Sequence, residues 1–327
     1  MTTTVGKPPI ISQPQQTPPK HVDAPNEPRR VLVLAKRTSY RTFVEEQKDA
    51  KIRELLDRGD PTVMRLRKSH EAHEETMQEV TSALSALGAE VTVQIGPRAP
   101  FRCEGLDLVL TVGGDGTLLA ASHQVGPGVP LLGVNSAPES SVGFFCAAAK
   151  GSVLEALRGA FDGTLPKTEL ARMQVELNDR CIHKRVLNEL LFCHSCPAAT
   201  TRYILRLTHP NGEFIEEDQR SSGLWIGPPA GSTAAQRSAG GNVLPLSSKR
   251  LQFVVREAYV RLGGSLRLPM GLVEDGGTVS IHCKIREGKA FLDGLHIVHD
   301  VGMGDRLVMR RSDETLTVLG LTRRDGS

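Results

Sequence analysis

One stretch decides the fold of the first half of the chain: residues 108–121 read Leu-Val-Leu-Thr-Val-Gly-Gly-Asp-Gly-Thr-Leu-Leu-Ala-Ala. Residues 108–112 are rich in Val and Leu and predict a buried strand, and a helix of small residues is predicted to begin near Thr117. Glycines in the turn between them let backbone N–H groups approach an anion, and the helix N-terminus favours negative charge. The stretch therefore predicts a phosphate-binding turn between a strand and a helix.

Asp115 is a carboxylate placed among these anion-binding amides. Such a placement is electrostatically costly, which indicates a chemical role for the side chain. It could accept a proton from an attacking hydroxyl group, or hold a magnesium ion beside a phosphate. The turn thus favours phosphoryl transfer. The alternative is a purely structural Asp-Gly turn, because single short motifs often mislead.

The pattern of predicted secondary structure changes at residue 163, and this change predicts two domains. In residues 30–162, strands alternate with helical patterns near 39–58 and 61–87, which predicts an α/β domain with a doubly wound parallel sheet. Its ligand is expected off the carboxyl ends of the strands, where the glycine turn lies. Residues 163–327 contain short strands with period-two alternation and predict a β-rich domain. The predicted strands are 31–35, 90–94, 106–112 and 129–134, then 171–177, 181–192, 201–207, 223–226, 251–256, 278–285 and 306–310.

Composition limits the classes of function. A net charge of +3 and 4% aromatic residues argue against nucleic-acid binding, and no run of 18 apolar residues exists to span a membrane. Residues 1–29 hold seven of the 20 prolines and predict a disordered arm. Six scattered cysteines, without a second Cys-x-x-Cys, predict reduced thiols in a cytoplasmic protein rather than a zinc site.

The strand-GGDGT-helix unit resembles the NAD kinase family and its relatives, the diacylglycerol and sphingosine kinases; phosphofructokinases carry a similar turn. The second half of the chain distinguishes among these. NAD kinases share an ordered series: an Asn-Glu pair, an Asp-Gly step, a Thr-Pro-Thr-Gly-Ser-Thr-Ala-Tyr loop and a Ser-Ala-Gly-Gly. This sequence follows that order with Asn188-Glu189, Ser222-Gly223, Pro229-Ala230-Gly231-Ser232-Thr233-Ala234 and Ser238-Ala239-Gly240-Gly241. The resemblance runs from about residue 31 to about residue 318.

The chain departs from the commoner bacterial pattern at several positions. Ser222 stands where most members carry Asp, and Ala235 stands where most carry Tyr. Residues 220–224, 231–235 and 196–199 look like the plant NADH kinase branch, whereas residues 35–40 look like the mitochondrial NAD kinase branch. These departures bear on the choice between NAD and NADH, not on the type of reaction.

The resemblance implies a C-terminal β-sandwich and an ATP-dependent kinase that phosphorylates the 2′-hydroxyl of the adenosine ribose of NAD, and also NADH. It implies that Asp115 is the catalytic base, that Gly113, Gly114, Gly116 and Thr117 bind phosphate, and that Mg²⁺ arrives with ATP rather than in a protein metal site. A homodimer assembled through the β domain is expected. The implied NAD-binding residues are Phe144, Phe145, Asn188, Glu189, Ser222, Gly231, Ser232, Thr233, Ala234, Ala235 and Ser238.

Several alternatives stand beside these assignments. The chain could be a GGDGT-type lipid kinase or a non-catalytic dinucleotide-binding regulator. Asn188-Glu189 could be a structural hydrogen-bonding pair, and Phe144-Phe145 could belong to the core. His70 and His73 suit a metal by spacing, but a solvated helix face is the favoured interpretation. Asp293-Gly294 resembles a family turn and is assigned a structural role only.

Overall fold

The computed structural model describes residues 28–260 and 262–321. It contains five α-helices: α1 Ala50–Asp57, α2 Met64–Ala86, α3 Asp115–Ser122, α4 Val153–Phe161 and α5 Ala235–Ser238. Nine strands come first: β1 Arg30–Ala35, β2 Glu90–Ile95, β3 Leu108–Gly113, β4 Leu131–Asn135, β5 Cys146–Ala149, β6 Lys167–Leu170, β7 Met173–Leu177, β8 Arg180–Val186 and β9 Leu190–His194. Ten more follow: β10 Thr201–Thr208, β11 Phe214–Ser221, β12 Gly223–Gly227, β13 Leu251–Arg256, β14 Met270–Val273, β15 Thr278–Cys283, β16 Gly288–Leu292, β17 Ile297–Val301, β18 Arg306–Arg311 and β19 Leu316–Leu319.

The first sheet has seven strands in the order β2-β1-β3-β4-β19-β6, with β5 added beside β4. Its β1–β5 pairings are all parallel. Strands β3 and β4 are buried along their whole length, as expected where helices cover both faces of a sheet. Helices α2 and α4 contribute to the apolar cluster on one face, and α3 contributes to the cluster on the other. The predicted α/β architecture is confirmed.

A topological switch point lies between β1 and β3. The chain leaves β1, returns through β2 on one side, and then crosses to β3 on the other side. In open α/β sheets the crevice at such a point, outside the carboxyl ends of the strands, is where ligands bind. Here β1 ends at Ala35 and β3 ends at Gly113. The GGDGT turn therefore lies at the position that the topology favours for a ligand.

The second half of the chain forms two six-stranded antiparallel sheets that enclose one apolar core. Their orders are β11-β10-β15-β18-β7-β8 and β14-β13-β12-β9-β16-β17. Strand β10 illustrates the period-two pattern, since Thr201, Tyr203, Leu205 and Leu207 are buried while the residues between them are not. The β-sandwich implied by the resemblance is confirmed.

Sheet membership crosses the predicted domain boundary at residue 163. Strands β6 and β19 lie beyond that residue, yet they pair with each other and, through β19, with β4 of the first sheet. The last described strand thus returns the chain to the domain where it began. The boundary stays a prediction about folding units, and the two halves share a sheet.

Several predicted elements were wrong in extent. The helix near 39–58 is instead a π-helical turn, Arg41–Glu46, followed by α1, because Lys48 adopts a left-handed conformation (φ +52°) and Asp49 caps α1 by accepting from Ile52 N–H (3.0 Å). The strand over 181–192 divides into β8 and β9. The strand over 171–177 begins only at Met173, after a break that separates it from β6.

The interpretation of His70 and His73 as a solvated helix face was also wrong. His73 is buried, and His70 stacks on Tyr40 with its Nδ1 2.9 Å from Thr38 Oγ1. The predicted disordered arm falls almost entirely on residues 1–27, outside the described residues. Among the helices of the described part of the chain, none is long and apolar enough to cross a membrane.

Candidate active site

The GGDGT turn is tightly built. Strand β3 ends at Gly113, and α3 begins at Asp115, two residues earlier than predicted, with Gly114 as its N-cap. A Cβ at Gly113 would lie 2.1 Å from Thr117 Oγ1, and one at Gly114 would lie 2.3 Å from Ser141 Oγ. A Cβ at either glycine would displace a neighbouring hydroxyl group, because both hydroxyl groups pack directly against the backbone. These hydroxyl groups line the entrance to the helix N-terminus.

Asp115 is a partly exposed carboxylate in the first turn of α3. Its Oδ1 accepts a hydrogen bond from Phe145 N–H (2.8 Å), and Phe145 itself is only 3% exposed. The position of one carboxylate oxygen is thus set by the backbone of a buried residue. The helix dipole also favours negative charge here. Asp115 is thus held in place at the mouth of the cleft, as a positioned proton acceptor must be.

A cleft of about 690 Å³ opens beside this turn. Lys36, Arg37 and Arg98 line it with positive charge, and Asp115 is the one carboxylate among its described lining residues. Hydroxyl groups come from the loop after β4, and the cleft is also lined by Asn135, Ser136, Ser140 and Ser141. Cations and hydroxyl groups around helix-terminal amides are the groups that can bind a polyanion such as a triphosphate.

None of these additional lining residues was predicted. Lys36 follows β1 directly, and β1 pairs with β3, so its place beside Gly113 arises from strand order. Ser136 is held by His73, whose Nδ1 lies 2.9 Å from its hydroxyl group. Burial, helped by the charge of Lys36, lowers the pKa of His73 to about 4, so the ring is neutral at pH 7. The sequence could have indicated Lys36 as a site residue, because it follows the carboxyl end of the first predicted strand.

The Asn188–Glu189 pair lies in the break between β8 and β9. Asn188 Oδ1 and Glu189 Oε2 are buried and have no hydrogen-bond partner within the described chain. Burial, with a contribution from the nearby Asp293, raises the pKa of Glu189 to about 7. Buried polar atoms in native proteins nearly always have partners. These two oxygens therefore indicate a ligand with hydrogen-bond donors.

The loop with the Gly-Ser-Thr-Ala sequence packs directly on this pair. It forms a 3-10 turn, Pro229–Thr233, in which a Cβ at Gly231 would lie 1.8 Å from Asn188 O. The hydroxyl group of Ser232 is fully used by the fold: it donates to Pro229 O (2.6 Å) and accepts from Leu244 N–H (2.9 Å). Thr233, Ala234 and Ala235 are half-buried beside it, and Ser238 is exposed at the end of α5.

One apolar cluster brings the distant motifs together. It contains Leu118 and Ala121 of α3, Phe145, Leu187 and Ala230, with Phe144 packed at its edge. Each of these residues adjoins or belongs to one of the predicted site motifs. Four segments are therefore neighbours in space: the GGDGT turn, the Phe144-Phe145 step, the Asn188–Glu189 pair and the Gly231 loop. The tertiary structure joins four segments that lie more than 100 residues apart at their extremes.

Ser222 is not part of this group. Gly227, at one end of β12, lies against Glu189, where a Cβ would come within 2.9 Å of its Cα. Ser222 precedes the other end of β12, five residues away, which is about 16 Å along a strand. The predicted site residues thus lie at both ends of β12, and only an elongated ligand or a second copy of the chain could connect them.

Comparisons with known proteins find relatives of this chain. Residues 51–159 match the family model of the ATP-NAD kinase N-terminal domain. A probable NADH kinase of Oryza sativa subsp. japonica is 37% identical over 230 residues, covering 65% of this chain and 71% of the rice protein. The NADH kinase of Arabidopsis thaliana is 34% identical over 230 residues, covering 65% of this chain and 72% of that protein.

Solved structures share the fold. An NAD kinase from Archaeoglobus fulgidus in complex with ATP superposes with a TM-score of 0.61 at 19% identity, covering 88% of this chain and 92% of that one. Yeast NADH kinase complexed with NADH gives a TM-score of 0.62 at 17% identity, covering 91% and 85%. The matches in sequence and fold lead to one conclusion: this chain belongs to the NAD kinase family of phosphotransferases.

Proposed function

We infer that the chain transfers the γ-phosphate of ATP to the 2′-hydroxyl of the adenosine ribose of NAD or NADH. One observation carries the inference: Phe145 links the two halves of the site. Its N–H fixes Asp115 at the cationic cleft, and its ring packs in the cluster that also holds Leu187, next to Asn188 and Glu189. The cationic cleft and the turn with unpaired acceptors are thus connected through Phe145. The curated NADH and NAD kinase relatives support the same reaction.

The decisive experiment is a coupled assay. The purified protein is incubated with Mg-ATP and NAD, and NADP is detected with an NADP-specific dehydrogenase. We expect NADP to form, and NADPH to form when NADH replaces NAD. The absence of both products at high enzyme concentration would overturn the proposal. Diacylglycerol in place of NAD tests the lipid-kinase alternative, which the relatives do not favour.

Asp115 is the proposed proton acceptor. A ribose hydroxyl is a weak nucleophile, and kinases accelerate its attack mainly by positioning it in line and by stabilising charge on the transferred group. The hydrogen bond from Phe145 N–H leaves the second carboxylate oxygen of Asp115 free to face the hydroxyl. The proton moves to that oxygen as the ribose oxygen bonds to the γ-phosphorus, while the bond from the γ-phosphorus to the β–γ bridging oxygen breaks and ADP leaves.

Lys36, Arg37 and Arg98 are the proposed counter-charges of the triphosphate. They line the same cleft as Gly113, Gly114, Gly116 and Thr117. Within residues 28–260 and 262–321, no group of three or more His, Cys, Asp or Glu side chains is placed to hold a metal ion. A single carboxylate fits a magnesium ion that is carried mainly by the triphosphate, where it would neutralise phosphate charge. Asp115 is the residue that would contact such an ion or its water.

Glu189 provides a pH-dependent prediction. Its pKa is raised to about 7 by burial and by Asp293, so the carboxyl group is half protonated in the free protein at neutral pH. Ribose hydroxyls donate best to the ionised form. We expect kcat/KM for NAD to rise as pH increases through about 7 and then level off. Glu189→Gln should lose this rise while keeping the shape of the side chain; an unchanged pH profile in that variant would contradict the assignment.

Ser222 provides a prediction about the redox state of the substrate. If an Asp at this position favours the cationic ring of NAD⁺, its replacement by Ser removes an interaction of about 1–2 kcal/mol, or about five- to thirtyfold in preference. We expect kcat/KM for NAD⁺ and NADH to agree within about tenfold, and Ser222→Asp to shift the ratio towards NAD⁺. Ser222→Asn is the matched control, because it adds similar volume without charge. An unchanged ratio in Ser222→Asp would show that this residue does not set the preference.

We also propose that the chain forms a homodimer and works in the cytoplasm. An apolar row crosses the outer face of the second β-sheet, where Trp225, Leu191 and Phe291 are half-buried and Met270 and Val298 are more than one-third exposed. A second copy of the chain would cover this row. Light scattering at micromolar protein concentration measures the mass of the particle, and we expect twice the mass of one chain.

The cysteines support the proposed cytoplasmic location. All six are free thiols, which suits a reducing compartment.

A further inference from the structure

Asp293 is a fully buried carboxylate that organises the Asn188–Glu189 turn. It follows β16, and its side chain is 0% exposed. Oδ2 accepts from Leu187 N–H (2.7 Å), while Oδ1 accepts from Asn188 N–H (2.7 Å) and Glu189 N–H (2.9 Å). Asp293 N–H donates in return to Glu189 O (2.9 Å). Four hydrogen bonds therefore join one residue to three consecutive residues of the turn.

This arrangement has a direct effect on the acceptor side of the site. With their N–H groups committed to one carboxylate, Asn188 and Glu189 are held in a fixed backbone conformation between β8 and β9. Their side-chain oxygens Oδ1 and Oε2 are among the buried side-chain atoms that have no hydrogen-bond partner in the described part of the chain, as is His123 Nδ1. Asp293 itself adopts a left-handed conformation (φ +49°), which is unfavourable for a residue with a side chain. A strained residue with four bonds to a ligand-facing turn indicates a positioning role.

The other face of Asp293 meets helix α3. His123 is the C-cap of α3, and its Nε2 lies 3.4 Å from Asp293 Oδ2. Burial, together with the charges of His183 and Arg172, lowers the pKa of His123 to about 3, so the ring is neutral at pH 7. The contact is therefore between a neutral imidazole and a carboxylate. This contact connects the end of α3, in the first half of the chain, to the residue that follows β16, in the second half.

The end of α3 is fixed from the same side by two arginines. Arg172 is 0% exposed and donates to Ser122 O (3.0 Å) and Val125 O (2.9 Å). Arg185 donates to Gln124 O (2.9 Å) and, through Nε, to Glu314 Oε2 (2.6 Å). Cations at the carbonyl end of a helix are favourable. The backbone on both sides of His123 is thus anchored, so the ring is a stable reference point for Asp293.

We propose that Asp293 and His123 are a positioning pair that sets the Asn188–Glu189 turn relative to helix α3, and so places the acceptor ribose relative to Asp115. The helix carries Asp115 at its first residue and ends next to His123. The distance from the proton acceptor to the acceptor-binding turn is then fixed by a rigid eight-residue helix and two side chains. The proposal rests on the function inferred above for this site.

Asp293→Asn is the direct test. The amide keeps the shape of the carboxylate but replaces one acceptor oxygen by a donor, which must face at least one N–H of the turn. We expect KM for NAD to rise by about tenfold or more, and KM for ATP to change by less than about threefold, because the ATP cleft contacts neither residue. A KM for NAD that stays within about threefold of wild type would overturn the proposal.

Two His123 variants test the same contact if Asp293→Asn does not fold. His123→Leu removes the ring nitrogen, whereas His123→Gln restores a donor at a similar distance. We expect KM for NAD to rise by about fivefold in the Leu variant and to return to within about twofold of wild type in the Gln variant. Equal values in the two variants would overturn the proposal, since the nitrogen would then be irrelevant.

Val279→Ala is the control for general destabilisation. Val279 is buried in the sandwich core on β15, where it pairs with Leu207 and Met309, and neither neighbour is a predicted site residue. It should lower the melting temperature and leave KM for NAD unchanged. The proposed function is judged separately: if the wild type forms no NADP, that function fails, and NAD affinity measured by calorimetry in wild type and Asp293→Asn still tests the positioning pair.

Discussion

Asp115→Asn is expected to lower kcat by about 10²–10⁴, the range typical for loss of a general base. The substitution is conservative for the structure, because the asparagine oxygen can still accept from Phe145 N–H, which the carboxylate does at 2.8 Å. What the variant loses is the basic oxygen that faces the ribose hydroxyl and the negative charge. KM for NAD and for ATP should change much less, since neither ligand is proposed to bind mainly through this residue.

The measurement is steady-state NADP formation, with melting temperature as the test of folding. Asp162→Asn is a matched control: it removes the same charge from an exposed position at the end of α4. We expect the control to retain wild-type kcat. If Asp115→Asn kept more than about half of the wild-type kcat, Asp115 would not be the base, and another group would have to accept the proton.

Gly231→Ala is expected to damage both stability and NAD binding. The added Cβ would lie 1.8 Å from Asn188 O, 2.4 Å from Asn188 C and 2.7 Å from Asn188 Cα, all backbone atoms with no freedom to rotate away. Overpacking typically costs about 1–3 kcal/mol, and a clash with backbone belongs at or above the upper end. The Asn188–Glu189 turn must move to relieve it. We therefore expect the melting temperature to fall by about 5 °C or more and kcat/KM for NAD to fall by about tenfold or more.

Gly302→Ala separates this effect from the general cost of replacing a glycine. Its Cβ would meet Asp305 Oδ2 at 3.5 Å, an ordinary contact, in a turn of the β-sandwich. The melting temperature of this control should stay within about 2 °C of wild type, and its kcat and KM values should be unchanged. If Gly231→Ala had the same melting temperature as this control and bound NAD normally, the loop would be able to move away from Asn188. That result would contradict the close packing described above.

Several elements could be predicted from the sequence because their signals are local. Runs of Val and Leu at β1, β3 and β4 indicate buried strands, and their alternation with helices determines a parallel sheet. The GGDGT turn identifies its own position, because glycines next to hydroxyl side chains at a strand-to-helix junction suit few other roles. The ordered motifs in the second half also identify the family. Here local pattern and tertiary packing agree.

Other elements depend on interactions that no local pattern encodes. The break at Asn188–Glu189 interrupts what the sequence predicts as one strand. The structure explains the break by the hydrogen bonds that the N–H groups of these two residues donate to Asp293, more than 100 residues later. His70 and His73 lie on a polar helix and look solvated in sequence. They are covered because the loops after β1 and β4 fold over that helix, where Thr38 and Ser136 meet the two rings.

The sequence by itself determined the α/β first half, the β-rich second half, the place of the GGDGT turn and the family, because strand burial, glycine spacing and motif order are properties of short segments. Tertiary structure alone decided that β19 joins the first sheet between β4 and β6, that Lys36 and Arg98 line one cleft with Gly113, and that Ser222 lies one strand length away from Glu189. The physical reason is that strand order, not chain order, sets which carboxyl ends are adjacent. Strand order depends on contacts between residues that are far apart in the chain.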